Sequence, residues 1–148
     1  MKNISIIGKI KNHYPLYLTI SDVFRTENVI INCTKDIAKE LKVINRNNRI
    51  SYNILPDNQV YRNYIDSDLN FIDQPYSRKD LAQLAMHKSN VGINYLMCHN
   101  ANTWFFPFSN IHKSFKLKNV LSIIIRNIIK KRITNYILMS NTIEDYLK

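Results

Sequence analysis

The chain has 148 residues, 45% of them hydrophobic and 11% aromatic, enough to build one domain, or two small subdomains on a shared core, without metals or disulfides. Its 21 Lys and Arg against 11 Asp and Glu give a net charge of +10, a balance that favours a polyanion as partner. Two glycines, Gly8 and Gly92, leave no glycine-rich phosphate loop or dinucleotide fingerprint, and two distant cysteines, Cys33 and Cys98, exclude a disulfide framework and an all-cysteine zinc site.

In chain order, Ile4, Ile6 and Ile10 alternate weakly and predict a short N-terminal strand or a fixed arm. The apolar run in MKNISIIGKIKNHY is too short for a secretory signal, and no segment reaches the roughly 18 apolar residues of a membrane span. A cytoplasmic protein with reduced thiols and no membrane partner is the expectation. From Pro15, the residues Leu16, Leu18, Ile20, Val23 and Phe24 fall near helical spacing. In CTKDIAKELKV, Thr34 is placed to cap a helix that buries Ile37, Ala38 and Leu41. INRNNRISYNIL is polar and then periodic at Ile50, Tyr52 and Ile54, and Pro56-Asp57-Asn58 marks a turn.

Residues 57–76 are acidic and rich in Asn and Tyr, and are expected to be a connector. Ser77 and Asp80 then make a capping pair for a second amphipathic helix that buries Leu81, Leu84 and Ala85. Asp36-Ile37-Ala38 aligns with Asp80-Leu81-Ala82, either as an internal repeat or as two ordinary capped helices. SFKLKNVLSIIIRNIIKKRITNYILM predicts a long helix with Leu117, Val120, Leu121, Ile124, Ile125 and Ile128 on one face. The fold expected from these elements is mainly α: residues 1–56 a helix-turn-helix-like subdomain, 57–76 the acidic connector, 77–148 a basic helical subdomain.

Charge is distributed unevenly. Nine of the eleven acids lie at or before Asp80, and none occurs between Asp80 and Glu144, so the second half is the polyanion-facing part. Phosphate docking is expected from Lys113, Lys116, Lys118, Arg126, Lys130, Lys131 and Arg132. Base reading is expected at a polar edge formed by Arg46, Asn47, Asn48 and Arg49, or by Lys88, Ser89 and Asn90, with Arg78 and Lys79 beside it. The adjacent pair Cys98-His99 diverges on any one element, so it does not make an activated nucleophile. His13, His87, His99 and His112 show no metal-ligand spacing. No catalysis, no metal and no cofactor are expected on these grounds.

SRKDLAQLA followed by TWFFPFSNIHKSF resembles the C subunit of the enterobacterial flagellar master transcriptional activator family. The shared positions are Ser77, Arg78, Leu81 and Leu84, then Trp104 and Phe105, then Asn110, Ile111 and His112, over about residues 76–125. That family's four-cysteine zinc cluster has no counterpart here. PLYLTISDVF…CTKDIAKEL resembles small virulence-type activators with an N-terminal helix-turn-helix. The resemblance implies a DNA-binding transcriptional regulator of activator type. It also implies an oligomer, with itself or with a partner regulator subunit, and double-stranded DNA as ligand. Trp104, Phe105 and Phe108 are then a packed aromatic corner that fixes the approach of the basic helix. The rival expectation is a basic interaction module, an inhibitor or adaptor of a phage, plasmid or pathogen, that meets an acidic protein; RNA binding is a third.

Overall fold

A computed structural model describes residues 1–45, 49–88, 91–99 and 117–139. They form an α/β domain around a single six-stranded sheet. The strands are β1 (Asn3–Ile7), β2 (Asn28–Cys33), β3 (Ile50–Ile54), β4 (Leu69–Asp73), β5 (Ile93–Cys98) and β6 (Asn135–Leu138). Their order is β3-β2-β1-β4-β5-β6, and every neighbouring pair is parallel. The helices are α1 (Tyr14–Val23), α2 (Lys35–Ile44), α3 (Arg78–Met86) and α4 (Leu117–Lys130).

Two cores show why the chain winds this way. On one face Ile4, Ile6, Val29, Ile31, Phe71 and Met97 pack under Tyr17 and Ile20 of α1 and Ile37, Ala38 and Leu41 of α2. On the other, Ile7, Ile72, Leu96 and Cys98 pack under Leu81 and Leu84 of α3 and Ile129 of α4, with Val60, Tyr61 and Tyr64 from the β3–β4 connection. Central strands are thus apolar on both faces, as a parallel sheet sandwiched between helices requires. Each fully buried Leu or Ile here stabilises the fold by about 1.5–3 kcal/mol. The asparagines buried in the sheet are paired, as burial demands. Asn32 Oδ1 accepts from Asn53 Nδ2 at 2.8 Å and from the backbone N–H of Ile65 at 2.9 Å. Asn70 donates to Asn94 Oδ1 at 3.1 Å and to the Val91 carbonyl at 3.0 Å. These asparagines tie the long β3–β4 connection and the β5 entry loop to the sheet.

The mainly α expectation, with its helix-turn-helix-like pairs, is therefore corrected. The helix expected at Lys35 is α2, but the chain that follows it is β3, not a second helix. The segment after α3 likewise becomes β5. NVIINC, LNFID and INYLMC are short apolar runs with little alternation, which periodicity alone does not separate from helix. The short N-terminal strand is β1. Residues 57–76 contain β4, one of the two central strands, and residues 135–138, expected to continue a helix, pair with β5 as β6. The capping pair at Ser77 is present: its hydroxyl accepts from Asp80 N at 3.1 Å. In α4 the buried positions are Ser122, Ile123 and Ile129, whereas Leu121, Ile124 and Ile128 are exposed. The apolar stripe expected to face inward is thus turned largely outward at Leu121, Ile124 and Ile128.

Candidate active site at the carboxyl end of the sheet

Chain order reverses between β1 and β4: from β1 the chain winds outward through β2 to β3, then returns to lay β4 on the other side. In doubly wound parallel sheets, such a reversal opens a crevice beyond the carboxyl ends of the strands, where ligands bind. Three chemistry-bearing side chains arrive there from three adjacent strands. Asp73 is the last residue of β4, His99 is the first after β5, and His13 follows β1 at the head of α1.

The local sequence explains each placement. Gly8 follows β1, and a Cβ there would stand 2.0 Å from the Tyr17 hydroxyl, so glycine leaves the room in which Tyr17 reaches Asp73. A single 3-10 turn, Lys11–His13, leads into α1, with Pro15 in its first turn, where proline suits a helix start. His13 sits at the N-cap without capping through its side chain, which leaves the imidazole for Asp73. Gln74 Oε1 accepts the backbone N–H of His99 at 2.7 Å and fixes that residue at the strand end.

The Asp73 carboxylate is fully buried and receives three donors. Tyr17 OH donates to Oδ2 at 2.6 Å, His13 Nδ1 to Oδ2 at 2.9 Å, and His99 Nε2 to Oδ1 at 2.9 Å. The two imidazoles stack, with centroids 4.0 Å apart and planes at 26°. Their side chains are 20% and 17% exposed, against 0% for Asp73. Burial, then the charge of Asp73, raises the Tyr17 phenol well above its ordinary range, so it remains a donor. These bonds set the tautomers: each ring turns an N–H toward Asp73 and leaves its other nitrogen, His13 Nε2 or His99 Nδ1, without a partner among the described residues.

A second layer surrounds this cluster. Lys9 reaches Asp80 Oδ1 at 2.7 Å and Asp57 Oδ2 at 2.8 Å. Burial lowers the Lys9 pKa, but its bonds and charge interactions with Asp57 and Asp80 outweigh that and raise it, so the lysine stays cationic. Tyr61 is fully buried, and its hydroxyl has no hydrogen-bond partner among the described residues. Burial, then the charges of Asp73 and Asp80, holds that phenol protonated. Tyr76, half exposed, flanks the imidazoles at 6.2 Å from His13 and 6.5 Å from His99.

The residues expected to meet DNA are distributed otherwise. Arg46, Asn47, Asn48, Ser89, Asn90, Lys113 and Lys116 lie outside the described residues, as do Trp104, Phe105, Phe108, Asn110, Ile111 and His112. Arg78 and Lys79 open α3 at the carboxyl end of the sheet, and Lys118 lies in the first turn of α4. Arg49, Lys88, Lys131 and Arg132 belong to the amino end, beside β3 or after α3 and α4. Arg49 Nη1 donates to the Thr26 carbonyl at 2.6 Å and Arg132 Nη1 to the His87 carbonyl at 2.7 Å. Arg126 and Lys130, on α4, join Arg78 in one basic run: burial and then Arg78 lower the Arg126 pKa, and burial and then Arg126 lower that of Lys130.

Cys98 and His99 diverge. The Cys98 thiol is buried in the second core and pushed up to about 12 by burial, whereas His99 turns to Asp73. At the opposite end of the sheet a 670 Å³ groove between α1 and α2 holds Asp22, Arg25 and Arg49 but no imidazole. The cluster His13–Asp73–His99 escaped sequence reasoning because its members are 60 and 26 residues apart. Its one signal is positional: Asp73 and Cys98-His99 each close a short apolar run. No family model matches the chain, and no curated protein or solved structure matches it.

Proposed function

We propose that this domain binds a small polar ligand in the carboxyl-end crevice and there removes a proton from a hydroxyl group or a water. His13, Asp73 and His99 carry that chemistry. The observation that supports this is their convergence, from three strand ends, at the point where the strand order reverses. A buried carboxylate that orients imidazoles while their far nitrogens remain open is an arrangement suited to proton transfer. Free, buried Cys33 and Cys98 accord with a reducing compartment such as the cytoplasm.

The test is ring-nitrogen NMR of histidine-labelled protein during titration with inorganic phosphate, nucleoside mono- and diphosphates, and simple polyols. A binding probe moves the His13 and His99 signals, leaves His87 in place, and loses at least tenfold in affinity in Asp73→Asn. Binding mapped to the Arg25–Arg49 groove, or no binding at the crevice by any probe, overturns the reading.

One observation favours a second reading, the DNA-binding regulator that the sequence suggests. Arg78, Arg126 and Lys130 crowd positive charge along α3 and α4, and Arg126 Nε is buried without a hydrogen-bond partner among the described residues. Such a run suits phosphates. On this reading duplex DNA binds with an affinity that falls steeply with salt, and a combined Arg126→Ala/Lys130→Ala variant flattens that slope. An oligomer or partner subunit belongs to this reading too. Among the described residues no helix is long and apolar enough to cross a membrane.

A further inference from the structure

We propose that the His13–Asp73–His99 cluster is a binding site for a divalent transition-metal ion. The ligands are His13 Nδ1, His99 Nε2 and a carboxylate oxygen of Asp73, and a further position is left open to water or ligand. This rests on the reading that the carboxyl-end crevice is the working site, and it names what occupies it.

Two independent observations carry the assignment. The first is geometric. The three donor atoms, one from each side chain, all lie within 4.8 Å of one another, and the nitrogen-to-oxygen separations are 2.9 Å. Around an ion with bonds of about 2.0–2.1 Å, tetrahedral donors stand roughly 3.3 Å apart, so each of the two nitrogen-to-oxygen separations need open by only a few tenths of an ångström. Two imidazoles and one carboxylate with an open position is the donor set of catalytic zinc and of non-haem iron(II) sites.

The second observation is electrostatic. Asp73 is wholly buried and has neither lysine nor arginine as an ion-pair partner among the described residues; only the two imidazoles and Tyr17 face it. Lys9, which follows Gly8 after β1, is held by Asp57 and Asp80 instead. A buried carboxylate without a cationic partner is costly, and a divalent ion supplies the missing charge. Tyr17 then acts as a positioning residue, because its hydrogen bond fixes one carboxylate oxygen. Each ring stays neutral on binding: His13 Nδ1 and His99 Nε2 take the ion, their protons move to His13 Nε2 and His99 Nδ1 by exchange with solvent, and those far nitrogens are then donors.

The experiment uses the full chain, stripped with chelator and then titrated with Zn²⁺, with metal counted by mass spectrometry and Co²⁺ substitution followed by its visible absorption. One ion per chain is expected, together with a raised melting temperature that chelator reverses. His13→Ala and His99→Ala each weaken Zn²⁺ binding at least tenfold and remove the cobalt bands, whereas His87→Ala leaves both unchanged. These imidazoles are partly exposed, so both variants should fold, and circular dichroism checks that they do. No stoichiometric Zn²⁺ on the wild-type chain, or undiminished binding in the His13→Ala/His99→Ala double variant, overturns the proposal. If zinc fails while crevice ligands still move the His13 and His99 signals, the metal is refuted and the functional reading stands. If zinc binds but no ligand reaches the crevice, the reverse holds.

Discussion

Among the described residues there are two histidine–aspartate sites, one at each end of the sheet, and they are built to opposite plans. At the amino end His87 spends both ring nitrogens: Nδ1 meets the Arg62 carbonyl at 2.7 Å, and Nε2 meets Asp66 Oδ2 at 2.8 Å. Its ring stacks on Tyr64 at 3.7 Å, and Arg132 grips its carbonyl. Nothing on that imidazole is left for a ligand; it pins the β3–β4 connection to the end of α3. At the carboxyl end two imidazoles share one carboxylate and keep a nitrogen each in reserve. A histidine beside an aspartate is therefore not a site in itself. What separates the two ends is whether the hydrogen-bonding capacity of the ring is exhausted.

The largest expected effect comes from breaking the carboxyl-end cluster at its centre. Asp73→Ala removes the buried acceptor shared by Tyr17, His13 and His99 and should cost about 2–4 kcal/mol in urea unfolding, with Zn²⁺ binding lost. Asp66→Ala, at a pair with some solvent access, should cost about 1–2 kcal/mol and leave Zn²⁺ binding intact. Equal losses of stability and of metal in the two variants would erase the distinction drawn between the ends.

The histidines sharpen it further. His87→Ala removes a buried stacked ring and two hydrogen bonds, and should lower stability by about 1–3 kcal/mol without altering the His13 and His99 signals. His99→Ala should do the converse, with a stability change under about 1 kcal/mol and loss of binding at the crevice. Paired unfolding and binding curves decide whether the two roles separate.

The smallest effect concerns the thiol next to the cluster. Cys98 precedes His99 directly, yet burial pushes its pKa up to about 12, as it does for Cys33. Both thiols should resist a thiol reagent in native protein at pH 8 and react fully once unfolded. The linkage has a definite sign. Above about 8.5 the unfolded chain releases thiol protons that the native state keeps until about 12, so the unfolded state binds fewer protons and stability falls as pH rises through that window. A Cys98 that reacts rapidly in the native state would show that the crevice reaches the core and that His99 activates it.

Much of the local structure was legible in the chain. The Ser77 cap, the inward Ile37, Ala38 and Leu41, and the inward Leu81 and Leu84 follow from spacing alone, because a helix end and an amphipathic stripe are local solutions to local needs. The fold was not legible, and the reason lies in runs such as NVIINC and INYLMC. Buried on both faces, these strands show little of the alternation that marks a half-exposed strand. The site was legible only in fragments. His13 carries no metal-ligand spacing to another histidine, and His99 is marked locally only by the cysteine before it. The carboxylate that orients His99 lies 26 residues upstream, where a search of its surroundings does not reach.

By itself, then, the sequence determined what short-range forces determine: composition rich enough for a core, an excess of positive charge in the second half, the Ser77 cap, the buried faces of α2 and α3, and a chain without a glycine-rich phosphate loop. Only the tertiary structure decided that the apolar runs between those helices pair in parallel, that the strand order reverses between β1 and β4, and that His13, Asp73 and His99 therefore meet. The physical reason is that strand pairing satisfies backbone groups on another segment of the chain, so neither the partner nor the register is contained in the run itself.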